Sequence, residues 1–90
     1  MSDKRTLTIV NEKGLHARAS AKLAELVEEF DAEVRVEKDG LEALGDSIMG
    51  LLMLGAAKGT QIEVTTSGAQ AESLADAIEA LVADRFGEET

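Results

Sequence analysis

The patterning of this 90-residue chain predicts an α+β fold: an open-faced β-sandwich in the order βαββαβα, with a four-stranded mostly antiparallel sheet and three helices on one face. Three observations predict it. Residues 6–10, 32–38 and 60–67 alternate apolar and polar side chains with a period of two. Two longer segments repeat apolar residues at helical spacing: Leu23, Leu26, Val27 and Phe30 in one, Leu74, Ala75, Ile78, Leu81 and Val82 in the other. Between these segments Asp39-Gly40 marks a tight hairpin into a fourth, short strand at 41–44.

Taken in order, residues 1–5 read as a frayed polar start. The first strand, 6–10, turns Leu7 and Ile9 to one side and Thr6 and Thr8 to the other. A polar loop, Asn11-Glu12-Lys13-Gly14, leads into a helix running to about Glu29, with Glu25, Glu28 and Glu29 on its wet side. In the next strand Val34 and Val36 face inward, and Glu33, Arg35 and Glu37 face outward. Gly45 breaks the short strand that follows. Asp46-Ser47 is a helix start, because both residue types can accept from unpaired backbone N–H groups. The helix after it, Ile48-Met49-Gly50-Leu51-Leu52-Met53-Leu54, is apolar nearly all round. Its outer face reads either as a partner surface or as buried in the core, and the partner surface is preferred because so small a domain does not easily surround a helix. Residues 60–67 form the fourth strand, 71–86 the third helix, and Glu88-Glu89-Thr90 a tail.

Composition narrows the function. Nine basic against eighteen acidic residues give a net charge of −9, a poor balance for nucleic acid or an anionic membrane. Without cysteine there is no disulfide or thiolate metal site, and a single histidine rules out a histidine cluster. No stretch reaches the ~20 apolar residues of a membrane span, and the N-terminus has no secretory apolar core. The expectation is one cytoplasmic domain over residues 1–90.

The one histidine, His16, falls where the first helix opens. Backbone N–H groups there lack partners and favour an anion. Arg18 falls in the first turn, where its guanidinium could grip phosphate oxygens through several donors. A neutral imidazole has a lone pair that can attack phosphorus. Helix mouth and guanidinium both favour the neutral ring. Lys13 and Lys22 read as solvated surface charges. Spacing alone does not separate this chemistry from a surface histidine that merely caps a helix.

Two separated motifs decide between them. Asn11-Glu12-Lys13-Gly14-Leu15-His16-Ala17-Arg18 resembles the active-site segment of the histidine-containing phosphocarrier family, HPr, and Asp46-Ser47-Ile48-Met49-Gly50-Leu51 resembles its regulatory-serine segment. Their spacing, the length and the element order fit as well. The resemblance implies a carrier of the bacterial phosphoenolpyruvate-dependent phosphotransferase system, in which His16 accepts a phosphoryl group on Nδ1 from enzyme I and passes it to an enzyme IIA-type acceptor. Arg18 matches the arginine beside the phosphate. Ser47 matches the serine modified by a dedicated HPr kinase/phosphatase. Leu15, Ala17, Ala21, Ile48, Met49 and Leu52 match partner-contacting positions. Such a carrier is expected to need no cofactor of its own, and one that must release its partners is expected to be a monomer. Ala19 stands where many members have proline, a form that fits nitrogen-related regulatory branches at least as well as sugar uptake. The alternative is a regulatory protein that carries nothing and docks through the 48–54 helix, switched at Ser47.

Overall fold

Branched residues at alternate positions fix the centre of the sheet. In the computed structural model, which describes all 90 residues, the strands are β1 (Ser2–Thr8), β2 (Glu33–Lys38), β3 (Leu41–Leu44) and β4 (Gln61–Ser67). Val36 of β2 lies directly opposite Val64 of β4, and Val34, Val36, Ile62 and Val64 are all buried. The last strand inserts between the first two, giving the order β1-β4-β2-β3. All three pairings are antiparallel, so the expected mostly antiparallel sheet is wholly so. Asp39 and Gly40 both have positive φ (50° and 83°), as a tight two-residue hairpin between twisted strands requires.

The helices α1 (Ala17–Glu28), α2 (Ile48–Met53) and α3 (Ala71–Ala83) cover one face. Their apolar stripes meet the sheet in one cluster of 18 buried residues, among them Leu23 and Val27 of α1, Leu51 of α2, Leu74, Ile78 and Val82 of α3, and Phe86. The opposite sheet face carries Lys4, Thr6, Glu37 and Gln61, which are exposed. No helix is long and apolar enough to cross a membrane.

Two elements differ in extent from the sequence reading. The first strand spans Ser2–Thr8 rather than 6–10, and residues 2–5 are paired with β4 from Ser2↔Ser67 onward. Asp3 and Arg5 stand on the helix side of that strand. Arg5 Nε donates to Asp3 Oδ1 at 2.9 Å, and its Nη1 reaches Asp76 (2.7 Å) and Glu79 (3.1 Å) on α3. Arg5 thus ties β1 to α3. The second difference is the third helix, which stops at Ala83 instead of reaching Phe86. The chain then makes a single left-handed turn, Arg85–Gly87, with φ of 56°, 54° and 78°. Phe86 is fully buried by that turn, not by a helical one.

α2 has the split character its sequence suggests. Leu51 is buried and Leu52 half-buried, while Ile48, Met49 and Met53 are exposed, the two methionines by 69% and 76%. Ser47 is its N-cap: Gly50 N–H donates to Ser47 Oγ at 3.1 Å.

Candidate functional site

The loop before α1 is held from three sides. Asn11 is fully buried, and its Nδ2 donates to the carbonyl of Gly14 at 2.8 Å. Leu15 N–H donates to the carbonyl of Ala56 at 2.8 Å, which joins the loop to the α2–β4 connection. Gly14 is required there. It has φ 65°, and a Cβ would stand 2.4 Å from Ala56 O and 2.9 Å from Ala57 Cα. Leu15 itself is only 4% exposed and belongs to the core. Its expected place on a partner-contacting face is therefore corrected: the side chain anchors the loop from below. The Ser20 hydroxyl donates to the Leu15 carbonyl at 3.2 Å, pinning the same point to α1.

That anchoring puts His16 at the N-cap of α1 with extended backbone, φ −78° and ψ −176°. Its carbonyl accepts from Ser20 N–H at 2.8 Å. The N–H groups of Ala17, Arg18 and Ala19 precede that first helical bond and have no partner within the helix. His16 makes no side-chain cap, so its ring leaves those donors free. The ring is 27% exposed. Arg18 is exposed and joins none of the ion pairs, so its guanidinium is free. Ala17 is exposed and Ala21 half-buried on the same helix.

The structure adds two residues. Glu88, read from sequence as part of a tail, returns to the site: its Oε2 meets His16 Nε2, and its Oε1 accepts from Asn11 Nδ2 at 3.0 Å. Asn11 looked like an ordinary loop residue and is the hub of this network. The Glu88 carboxyl is held below the usual glutamate range, first by the Asn11 amide and then by His16, with Lys13 adding a weaker attraction. The tail is tied again at its end, where Glu12 N–H donates to Thr90 O at 3.0 Å. Lys22, read as a solvated charge, donates to the Phe86 carbonyl at 2.7 Å. Sequence offered no sign of either contact, because both join residues more than sixty positions apart.

Acidification should loosen this arrangement. A carboxyl with a folded pKa below its unfolded value of about 4.3 stabilises above that value and loses its contribution as pH falls through the folded pKa. Glu88, Glu12 and Asp3 are all lowered, the last two chiefly by Lys58 and Arg5. We expect urea-unfolding stability to drop below about pH 4, although the net charge of −9 is by then relieved. Stability that keeps rising down to pH 3 would show these pairs to contribute nothing.

The site is an open surface. A cavity of about 380 Å³ between α1, β2 and β3 is lined by Val27, Val34, Arg35 and Asp46 among others, and no residue of the His16 loop reaches it. The partly exposed ring of His16 lies at a helix start whose first N–H groups have no partner within the helix. Residues 3–84 match the family described as PTS HPr component phosphorylation site, and the chain belongs to that phosphocarrier family of the bacterial phosphotransferase system. The chain is 44% identical over 85 residues to the phosphocarrier protein HPr of Cupriavidus necator, covering 94% of this chain and 96% of the relative. It is 47% identical over 90 residues to the phosphocarrier protein NPr of Escherichia coli K12, covering 99% and 100%. Among solved structures, HPr-C-His from Thermoanaerobacter tengcongensis superposes with a TM-score of 0.92 at 33% identity, covering 98% of this chain and 99% of that one.

Proposed function

We propose that this protein carries a phosphoryl group on His16, receiving it from phosphorylated enzyme I and handing it to an enzyme IIA-type acceptor. The observation that carries the reading is the placing of the chain's one imidazole at the N-cap of α1, two residues before Arg18, whose guanidinium is exposed and unpaired, within a segment that matches a phosphocarrier family. Free N–H groups and guanidinium supply donors for phosphoryl oxygens without a metal or cofactor. A phosphoramidate on imidazole transfers readily in either direction because a protonated ring leaves easily. The role calls for a cytoplasmic monomer that binds and releases partners through the exposed apolar side chains of α2. Such a surface, with Met49 and Met53 its most exposed members, suits partners of differing shape.

Ser47 is the regulatory limb of the proposal. Its oxygen caps α2, and its neighbours Ile48 and Met49 lie on the exposed patch. A phosphate there adds about −2 charge at the edge of a docking face and repels acidic partners. Absence of label at Ser47 after incubation with an HPr kinase and ATP would remove this limb.

The test of the carrier reading is incubation with phosphoenolpyruvate and enzyme I, followed by a search for an acid-labile, alkali-stable adduct. One phosphoryl group per chain is expected, and none on His16→Ala. Undiminished labelling of that variant would overturn the assignment. Sugar-linked and nitrogen-related acceptors are then separated by offering each IIA type to the labelled protein.

A further inference from the structure

Resting on that reading, we propose that Glu88 is a positioning residue for phosphoryl transfer: it holds His16 as the Nε2–H tautomer, leaves the lone pair on Nδ1, and balances the charge the ring acquires as phosphorus binds there. The carboxylate bridges two groups, with Oε1 on Asn11 Nδ2 (3.0 Å) and Oε2 on His16 Nε2. Asn11 cannot be turned the other way. Its Nδ2 faces two acceptors, Gly14 O at 2.8 Å and Glu88 Oε1, and a carbonyl oxygen there would face both unfavourably. Oε2 is therefore left for the ring.

An ionised carboxylate only accepts, so the proton between Glu88 and His16 belongs to Nε2. A neutral imidazole has one ring proton, and the lone pair then resides on Nδ1. Phosphoryl attack at Nε2 is blocked by the same contact. In the transfer step the Nδ1 pair forms the N–P bond while the bond from phosphorus to the donor breaks, its electron pair leaving with the donor. The proton stays on Nε2, the ring becomes cationic, and the carboxylate offsets that charge, as a buried aspartate does for a catalytic histidine. Onward transfer returns the pair to Nδ1 and restores the neutral ring. Lys13 is the cation whose field reaches Glu88 from the loop side.

The backbone is bent to make this contact. Arg85, Phe86 and Gly87 are successively left-handed, at φ 56°, 54° and 78°, and two of them carry side chains that disfavour it. The turn is held by the burial of Phe86, by Lys22 Nζ on Phe86 O (2.7 Å), and by Glu88 N–H on Arg85 O (2.9 Å).

Wild type, E88A and E88D are compared by NMR of the His16 imidazole N–H and by the rate of phosphoryl acceptance from phosphorylated enzyme I. The wild type is expected to show a downfield, slowly exchanging Nε2–H resonance that E88A lacks. In E88A kcat falls about tenfold with little change in KM, and E88D recovers part of both signals. A neutral wild-type ring protonated on Nδ1, or E88A turning over at the wild-type rate, overturns the role of Glu88 while leaving His16 as the acceptor. A wild type that shows the resonance yet takes no phosphoryl group overturns the carrier reading, and the role of Glu88 with it.

Discussion

Replacing Arg18 with alanine is expected to slow phosphoryl transfer to and from His16 on the order of a hundredfold, with thermal stability unchanged. The size follows from what is removed. One positioned donor to a developing anion is typically worth ~10²–10³ in rate. The lower figure applies because Arg18 is exposed, where water screens its charge, and because the N–H groups of Ala17, Arg18 and Ala19 remain. The unchanged stability follows from the absence of any ion pair at Arg18 and from the high helix propensity of alanine. Arg18→Lys should recover only part of the rate, since an ammonium supplies charge without a planar fork of donors. Stopped-flow or quench-flow acceptance from phosphorylated enzyme I reads the effect. A loss below threefold would mean that the helix mouth alone holds the phosphoryl group. A large fall in melting temperature would mean that Arg18 serves the fold.

The surroundings of His16 are more mixed than its sequence neighbours suggest. Gly14 to Arg18 supply only favourable places for an anion, and from them the ring reads as set among donors and positive charge. The chain end adds a carboxylate to Nε2.

What the sequence made legible is what depends on near neighbours. The Asp39-Gly40 turn and the Ser47 cap are local features and lie where their patterns put them, and the period-two runs and helical stripes mark the right elements though not all of their ends. His16 as the residue at the start of α1 belongs to the same kind. What it hid depends on distant partners. Residues 2–5 looked like a frayed start because their polar alternation has no apolar face, and only α3, some seventy residues on, supplies the carboxylates that make Arg5 a strand residue. Leu15 matched a partner-contacting position through the family resemblance, but an extended N-cap at His16 sends successive side chains to opposite sides, and Leu15 goes to the core. Glu88 was invisible for a further reason. Its approach needs a left-handed turn through arginine and phenylalanine, which no local propensity favours.

That turn gives the second large effect. Phe86→Ala is expected to cost about 3–5 kcal/mol, the usual range for truncating a fully buried phenylalanine. Against the ~5–15 kcal/mol that holds such a domain together, this is a large fraction. At roughly 4–8 °C per kcal/mol for a domain of this size, the melting temperature should fall by well over about 10 °C. Two contributions act together. The core loses its largest fully buried side chain, and the strained backbone at Arg85 and Phe86 loses the burial that offsets its strain. Phe86→Leu keeps most of the apolar volume and should lie much closer to wild type. The variants also separate fold from site. In the fraction of Phe86→Ala that remains folded, the released turn no longer delivers Glu88, so the His16 Nε2–H resonance should vanish even where far-UV circular dichroism is native. Urea unfolding of the three proteins measures the first effect. A change under about 1 kcal/mol would place Phe86 outside the core, and a resonance that survives in the folded variant would show that the chain end reaches His16 without its anchor.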